Sequence, residues 1–447
     1  MTAPTTPSDA ADTTEAAGTA ETRPLIVVSC DTHIGPRLEH ELRPYCPAGR
    51  LAEFDEFAAQ LRAKHEAAKG QLGFGGMTRG ADWGVSRRNL ETEGHYDIQA
   101  RLRDLSADGV AAQVIFHDSQ NGQPLPFDRS SVMDRENIDF ERLPVGQQIY
   151  NRWLADQITV EPERHIALAY LPMWDIDAAI KELKWAASVG FRGVNFPFPR
   201  TYMKSYNYPE WDPFFSLCED LGLAICNHGG GAPTATGGPG AMTIIKLEVS
   251  NLTRISPLSH LIFGGVFERH PKLHFVMTES VGPWWTSVMR ELDSAYIHDV
   301  AEYPDMKDRV RKLPSEYAAQ NAFVGASFMA RFEAEDAMAN GYLGNLVWGS
   351  DYPHFEGTFQ HGIRSPEGDT ATRSAMRFTF AGLPEKEVGQ LLGGNAVRAY
   401  GLDKQALQQV AERIDAPSYA QLNVPLATLP DPHDRGHHAY RTYGFWA

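Results

Sequence analysis

The chain has 447 residues, 43% of them hydrophobic and 22% charged, with a formal net charge of −16. That length suits one large barrel with insertions or two ordinary domains, and the balance is that of a globular protein. An acidic surface of this size repels phosphate backbones and argues against nucleic acid as a partner. No run of about eighteen apolar residues is present to span a membrane.

Residues 1–23 are rich in Thr, Ala, Pro and Asp and carry almost no large apolar side chain, so they are expected to be disordered. They have neither the basic start nor the apolar core of a secretory or transit peptide. Cys30, Cys46, Cys218 and Cys226 form no C-x-x-C pair and read as reduced thiols. Together these features predict a cytoplasmic protein.

From Pro24 a rhythm begins of short apolar runs, each followed by a loop and a longer helical stretch. The runs fall at 25–31, 111–116, 166–170, 192–196, 224–228, 273–279, 322–325 and 345–351. Most are apolar throughout, as parallel strands covered on both faces should be. Helical stretches are predicted at 175–189, 211–222, 252–269 and 283–297. The first shows apolar spacing at Ile176, Ala179, Ile180, Leu183 and Ala187 and stops at Gly190. Eight strands alternating with helices predict a (β/α)₈ TIM barrel rather than an open sheet.

The barrel is placed at 24–413, with terminal helices at 371–413 and a Pro-rich C-terminal tail at 414–447. An insertion after strand one, 35–95, contains a helical piece near 51–69 and a Gly-rich stretch at 70–84. The glycines at 73–76 and 229–231 do not form a dinucleotide fingerprint and read as loop residues. His437 and His438 in the tail read as solvated.

In a barrel of this kind, residues at the C-terminal strand ends converge on one face. Strand one ends in Asp31 followed by His33, strand five in His228, strand six in Glu279, and strand eight in Asp351 with His354 three residues on. Imidazoles and carboxylates are the ligands a divalent metal takes at such a site. In D-x-H the two residues point to the same side of a strand. Each has a plainer reading: Asp31 and His33 as a loop-capping pair, His228 as a buried satisfied histidine, Asp351 as a turn cap, Glu279 as an arginine partner. Their joint placement at four strand ends favours a metal centre.

The same residues carry a resemblance. The segments at 27–36, 106–116, 191–197, 211–231, 263–280, 346–359 and 391–403 resemble the amidohydrolase-related family, the branch that includes aminocarboxymuconate-semialdehyde, resorcylate and carboxyvanillate decarboxylases. The resemblance covers roughly residues 24–413. It implies one divalent metal held by Asp31, His33, His228 and Asp351, with Asp351 also orienting or deprotonating a metal-bound water. Zinc is expected first, with manganese or iron as alternatives and one or two ions. Two departures stand out. Strand one reads D-x-H rather than H-x-H or the Glu-first pattern of some decarboxylases, and Glu279 occupies the place where the resemblance implies a histidine. No lysine ends strand four, which argues against a carbamylated-lysine binuclear centre.

A carboxylate at position 279 favours a metal-dependent hydrolase acting on a small, aromatic or carboxylate-bearing molecule. In that reading Asp351 takes the water proton, and Glu279 or His354 protonates the leaving group. The alternative is a non-oxidative decarboxylase of an aromatic or unsaturated acid. A third reading, ligand binding without turnover, requires a degraded ligand set, and the set is intact. Arg200, Phe198 and Trp284 are the candidate substrate contacts, with Arg200 matched to a carboxylate. Homodimerisation or a higher homo-oligomer is expected, with 35–95 as a contact.

Overall fold

The computed structural model describes residues 22–68, 88–130, 137–229, 247–248, 251–252, 254–365, 367–428 and 440–441. The expectations for residues 1–21, for the Gly-rich stretch and for His437 and His438 lie outside them. Eight strands form one parallel sheet in chain order: β1 (Val28–Ile34), β2 (Ala112–His117), β3 (His165–Ala169), β4 (Gly193–Asn195), β5 (Ala224–His228), β6 (Phe275–Thr278), β7 (Ala322–Ser327) and β8 (Leu346–Gly349). The seam between first and last is drawn together just beyond β8. Asp351 N donates to Asp31 O at 2.9 Å, His33 N donates to Tyr352 O at 2.6 Å, and Ser350 N donates to Ser29 Oγ at 2.9 Å. This is the (β/α)₈ barrel expected of the sequence.

Alternation along each strand separates two apolar layers. Val28, Cys30, Val114, Phe116, Ile166, Leu168, Ala224, Cys226, Val276, Phe323 and Val347 fill the interior, floored by Ala396, Ala399, Tyr400 and Leu407. Their neighbours in sequence, such as Val27, Ile115, Ala167, Ile225, Phe275 and Val324, face the surrounding helices. Two-sided burial explains why the strands are apolar throughout rather than alternating. Gly349 on β8 is required by close approach: a Cβ there would lie 2.8 Å from Asp31 Cβ.

The expected helices form at Ile176–Ser188, Asp212–Asp220 and Trp285–Glu302. The stretch expected at 252–269 breaks into Leu258–Phe263 and Val266–Arg269, because Gly265 adopts φ +70° between them. In the insertion, Leu51–Ala68 is a helix whose Phe54 and Phe57 pack on Phe127, in the loop after β2. Ser418 bridges Pro24, and Tyr440 is buried against Ala375 and Phe378. No helix among the described residues is long and apolar enough to cross a membrane.

Two buried histidines beside the barrel give the fold a pH limit. His165 on β3 contacts Gln113 Nε2 at 3.1 Å and Val160 O at 2.9 Å; His95 contacts Ser119 Oγ and Asn89 O. Burial pulls both down to about 4. The unfolded chain therefore binds more protons than the native chain between pH 6.5 and 4. Stability present above that window is lost as pH falls through it, by up to about 3 kcal/mol per histidine. Urea midpoints measured at pH 7 and pH 5 should fall accordingly, and His165→Asn should flatten part of the dependence.

Candidate metal centre

A register shift in β1 puts the first two candidates inside the barrel. Ser29 pairs with Gln113 and Thr32 with Ile115, so β1 uses three steps where β2 uses two. Val28 and Cys30 face inward before this bulge, and strict alternation would then turn Asp31 and His33 toward the helices. The extra residue reverses the parity. His33 pairs with inward-facing Phe116 and lies 5.8 Å from its ring. His228 follows Ala224 and Cys226 on the inward face of β5. Asp351 and Glu279 stand one or two residues past their strands at φ +56° and +52°. Left-handed backbone in such residues costs about 1 kcal/mol or more, and its clustering at the barrel mouth marks a site the surrounding structure enforces.

The five side chains meet. His33 Nε2 lies 3.1 Å from Asp31 Oδ1, 3.3 Å from Asp351 Oδ1 and 3.1 Å from His228 Nε2. His228 Nε2 is 3.4 Å from Asp31 Oδ1 and 3.7 Å from Glu279 Oε2. Both rings have fixed tautomers: His33 Nδ1 donates to His117 O and His228 Nδ1 donates to Gly229 O, each at 3.1 Å. A neutral ring with its proton on Nδ1 has its lone pair on Nε2. Two lone pairs facing each other at this distance repel unless a proton or a cation lies between them. Asp31 Oδ1 and both Asp351 carboxylate oxygens are buried without a hydrogen-bond partner. Converging lone pairs and orphaned carboxylate oxygens fit a divalent cation.

The electrostatics agree. Burial opposes ionisation of Asp31, but His228 and His33 hold it below the usual carboxylate range. Burial likewise opposes charge on His228, yet Asp31 and Glu279 raise it above the usual histidine range. Glu279 is pushed up from its ordinary value by burial, and Asp351 and Asp31 add to the rise. It therefore retains a proton to higher pH than a free glutamate.

His354 stacks on His33 with ring centroids 3.8 Å apart. Its Nδ1 lies 3.0 Å from Asp351 Oδ1 and its Nε2 donates to Asp118 O at 2.7 Å. Burial disfavours its charge, but Asp351 raises it well above the usual range. His354 thus packs between His33 and Asp351. Arg200 is half-buried in the loop after β4. Phe198 and Trp284 are 3% and 5% exposed; Trp284 donates its indole N–H to Ser280 O at 2.8 Å and packs on Trp285.

Sequence reasoning missed several participants. Ser327, at the end of β7, donates to Asp31 Oδ2. Arg101 Nη1 donates to His33 O at 2.6 Å from the helix Ile98–Asp108. Glu356 joins Glu279 and Asp351 in a carboxylate group, held by Gln120 Nε2 at 2.9 Å. Its position five residues past Asp351, in the same post-strand loop, was the one available signal.

The family model described as Amidohydrolase matches residues 123–402. The 2-amino-3-carboxymuconate-6-semialdehyde decarboxylase of Dictyostelium discoideum is 25% identical over 322 residues, 69% of this chain and 77% of that protein. Two solved structures share the fold. One is a 5-carboxyvanillate decarboxylase from Novosphingobium aromaticivorans with bound manganese, with TM-score 0.59 and 15% identity, covering 85% of this chain and 97% of that one. The other is a Polaromonas dihydroxybenzoic acid decarboxylase with manganese and the inhibitor 2-nitroresorcinol, with TM-score 0.54 and 17% identity, covering 86% and 99%.

Proposed function

Because the chain belongs to the amidohydrolase family, we propose that it is a metal-dependent, non-oxidative decarboxylase of an aromatic or unsaturated carboxylic acid. The observation that carries this reading is Glu279, whose Oε2 lies 3.7 Å from His228 Nε2 and whose carboxyl is raised by burial and by its acidic neighbours. From the sequence alone, glutamate in place of histidine argued for a hydrolase. A glutamate that keeps its proton can do the histidine's work, and the similarity to decarboxylases supports the same choice.

His33, His228, Asp31 and Asp351 would hold the cation. When bound, a divalent ion supplies Lewis-acid stabilisation of negative charge on substrate oxygens. Glu279 protonates the carbon that bears the departing carboxylate. The carbon–carboxylate bond then breaks, its electron pair returns to the π system that gave up a pair to the new C–H bond, and carbon dioxide leaves. Water restores the proton on Glu279. His354 keeps Asp351 aligned throughout. The mixed imidazole and carboxylate ligand set accommodates manganese, as in the two neighbours, as well as zinc.

Incubating manganese-loaded enzyme with a panel of hydroxylated aromatic and muconate-type acids should release carbon dioxide in step with loss of substrate absorbance. Cleavage of esters or amides without carbon dioxide from any acid would overturn the assignment.

A further inference from the structure

Arg441 lies far from the strand-end residues in sequence, yet its guanidinium is buried among them. It is 3% exposed, and its Cζ sits 4.1 Å over the ring of Phe328, the residue after β7. Nη2 donates to the backbone carbonyl of Glu356. Nε and Nη1 are buried and have no hydrogen-bond partner. The charges that act on it most strongly are those of Glu356, Asp351, Glu333 and Glu279, three of which line the metal centre. Tyr440, buried against Ala375 and Phe378, anchors it.

An arginine that served only as a counter-ion would direct its donors at one of those carboxylates. Instead its engaged donor meets a neutral carbonyl. Burial outweighs the nearby carboxylates and brings it down to about 10, so it remains charged at neutral pH. A buried cation with idle donors is costly unless an anion completes it. Arginine is also the residue best shaped to receive a carboxylate.

We propose that Arg441, a residue outside the barrel segments, binds the carboxylate of the substrate at the barrel mouth. This rests on the reading of the site as one that takes a carboxylic acid. It gives the carboxylate-binding role to Arg441, where sequence reasoning had assigned it to Arg200.

Two nearly isosteric probes test it on manganese-loaded enzyme: salicylate and its neutral amide, salicylamide, with affinities measured by calorimetry. Wild-type enzyme should prefer salicylate. Arg441→Gln should weaken salicylate binding by roughly 10- to 100-fold, the range for hydrogen bonds to charged groups, and leave salicylamide unchanged. Arg441→Lys should restore part of the preference. The assignment is overturned if wild-type enzyme does not distinguish the probes. It is equally overturned if R441Q keeps the full preference, or if R441Q and R441K weaken both probes alike. None of these outcomes needs turnover, so a failure to release carbon dioxide would count against the decarboxylase reading alone.

Discussion

Replacing His228 with alanine is expected to remove the bound metal and lower turnover on the order of a thousandfold, the several kcal/mol that a Lewis acid contributes to charge stabilisation. Of the imidazoles beside it, His117 meets His33 only through its backbone carbonyl, and His354 Nε2 donates to Asp118 O. Asp351→Asn is the finer probe. Asparagine tolerates the φ of +56° found there, so the backbone is retained while the charge is removed. Metal affinity should fall, and His354, having lost its main counter-charge, should titrate lower by NMR. Elemental analysis after dialysis reads the first effect directly. Stoichiometric metal retained by both variants would mean that the cluster is a satisfied polar network and not a cation site.

Glu279→Gln should behave differently. It leaves His33, His228, Asp31 and Asp351 in place, so metal content should be unchanged. Loss of the proton donor should reduce kcat by about 10²- to 10⁴-fold, the range for a positioned general acid. The pH profile separates the roles. Glu279 is raised above its ordinary value and acts in its protonated form. Wild-type activity should therefore decline as pH rises through that raised value, and E279Q should lack this limb. A wild-type rate that instead climbs across the same window would make Glu279 a base and return the hydrolase to first place. Glu279→His, which installs the residue the family resemblance implies here, should keep part of the rate, since histidine is among the residues that tolerate positive φ.

Much of the site was legible in the sequence because barrel chemistry collects at strand ends. Apolar runs ending in Asp31, His228, Glu279 and Asp351 locate a mouth without any coordinates. Glu356 and Ser327 were less legible: one lies well into a loop, the other is an ordinary-looking serine, and neither belongs to a spacing pattern. Arg441 was invisible, since nothing in local composition tells that a tail arginine returns to the barrel.

By itself the sequence determined the eight-strand barrel and the candidate metal ligands, which depend on local periodicity and on residue type at strand ends, and its segment resemblances pointed to the family. The tertiary structure decided three further matters. The β1 bulge turned Asp31 and His33 inward, where simple alternation from Val28 would have turned them out. The seam hydrogen bonds from Asp351 N to Asp31 O and from His33 N to Tyr352 O brought residues about 320 positions apart into one cluster. Burial among acidic neighbours then changed what Glu279 can do. A pKa belongs to an environment, and that environment is assembled from strands distant in the chain.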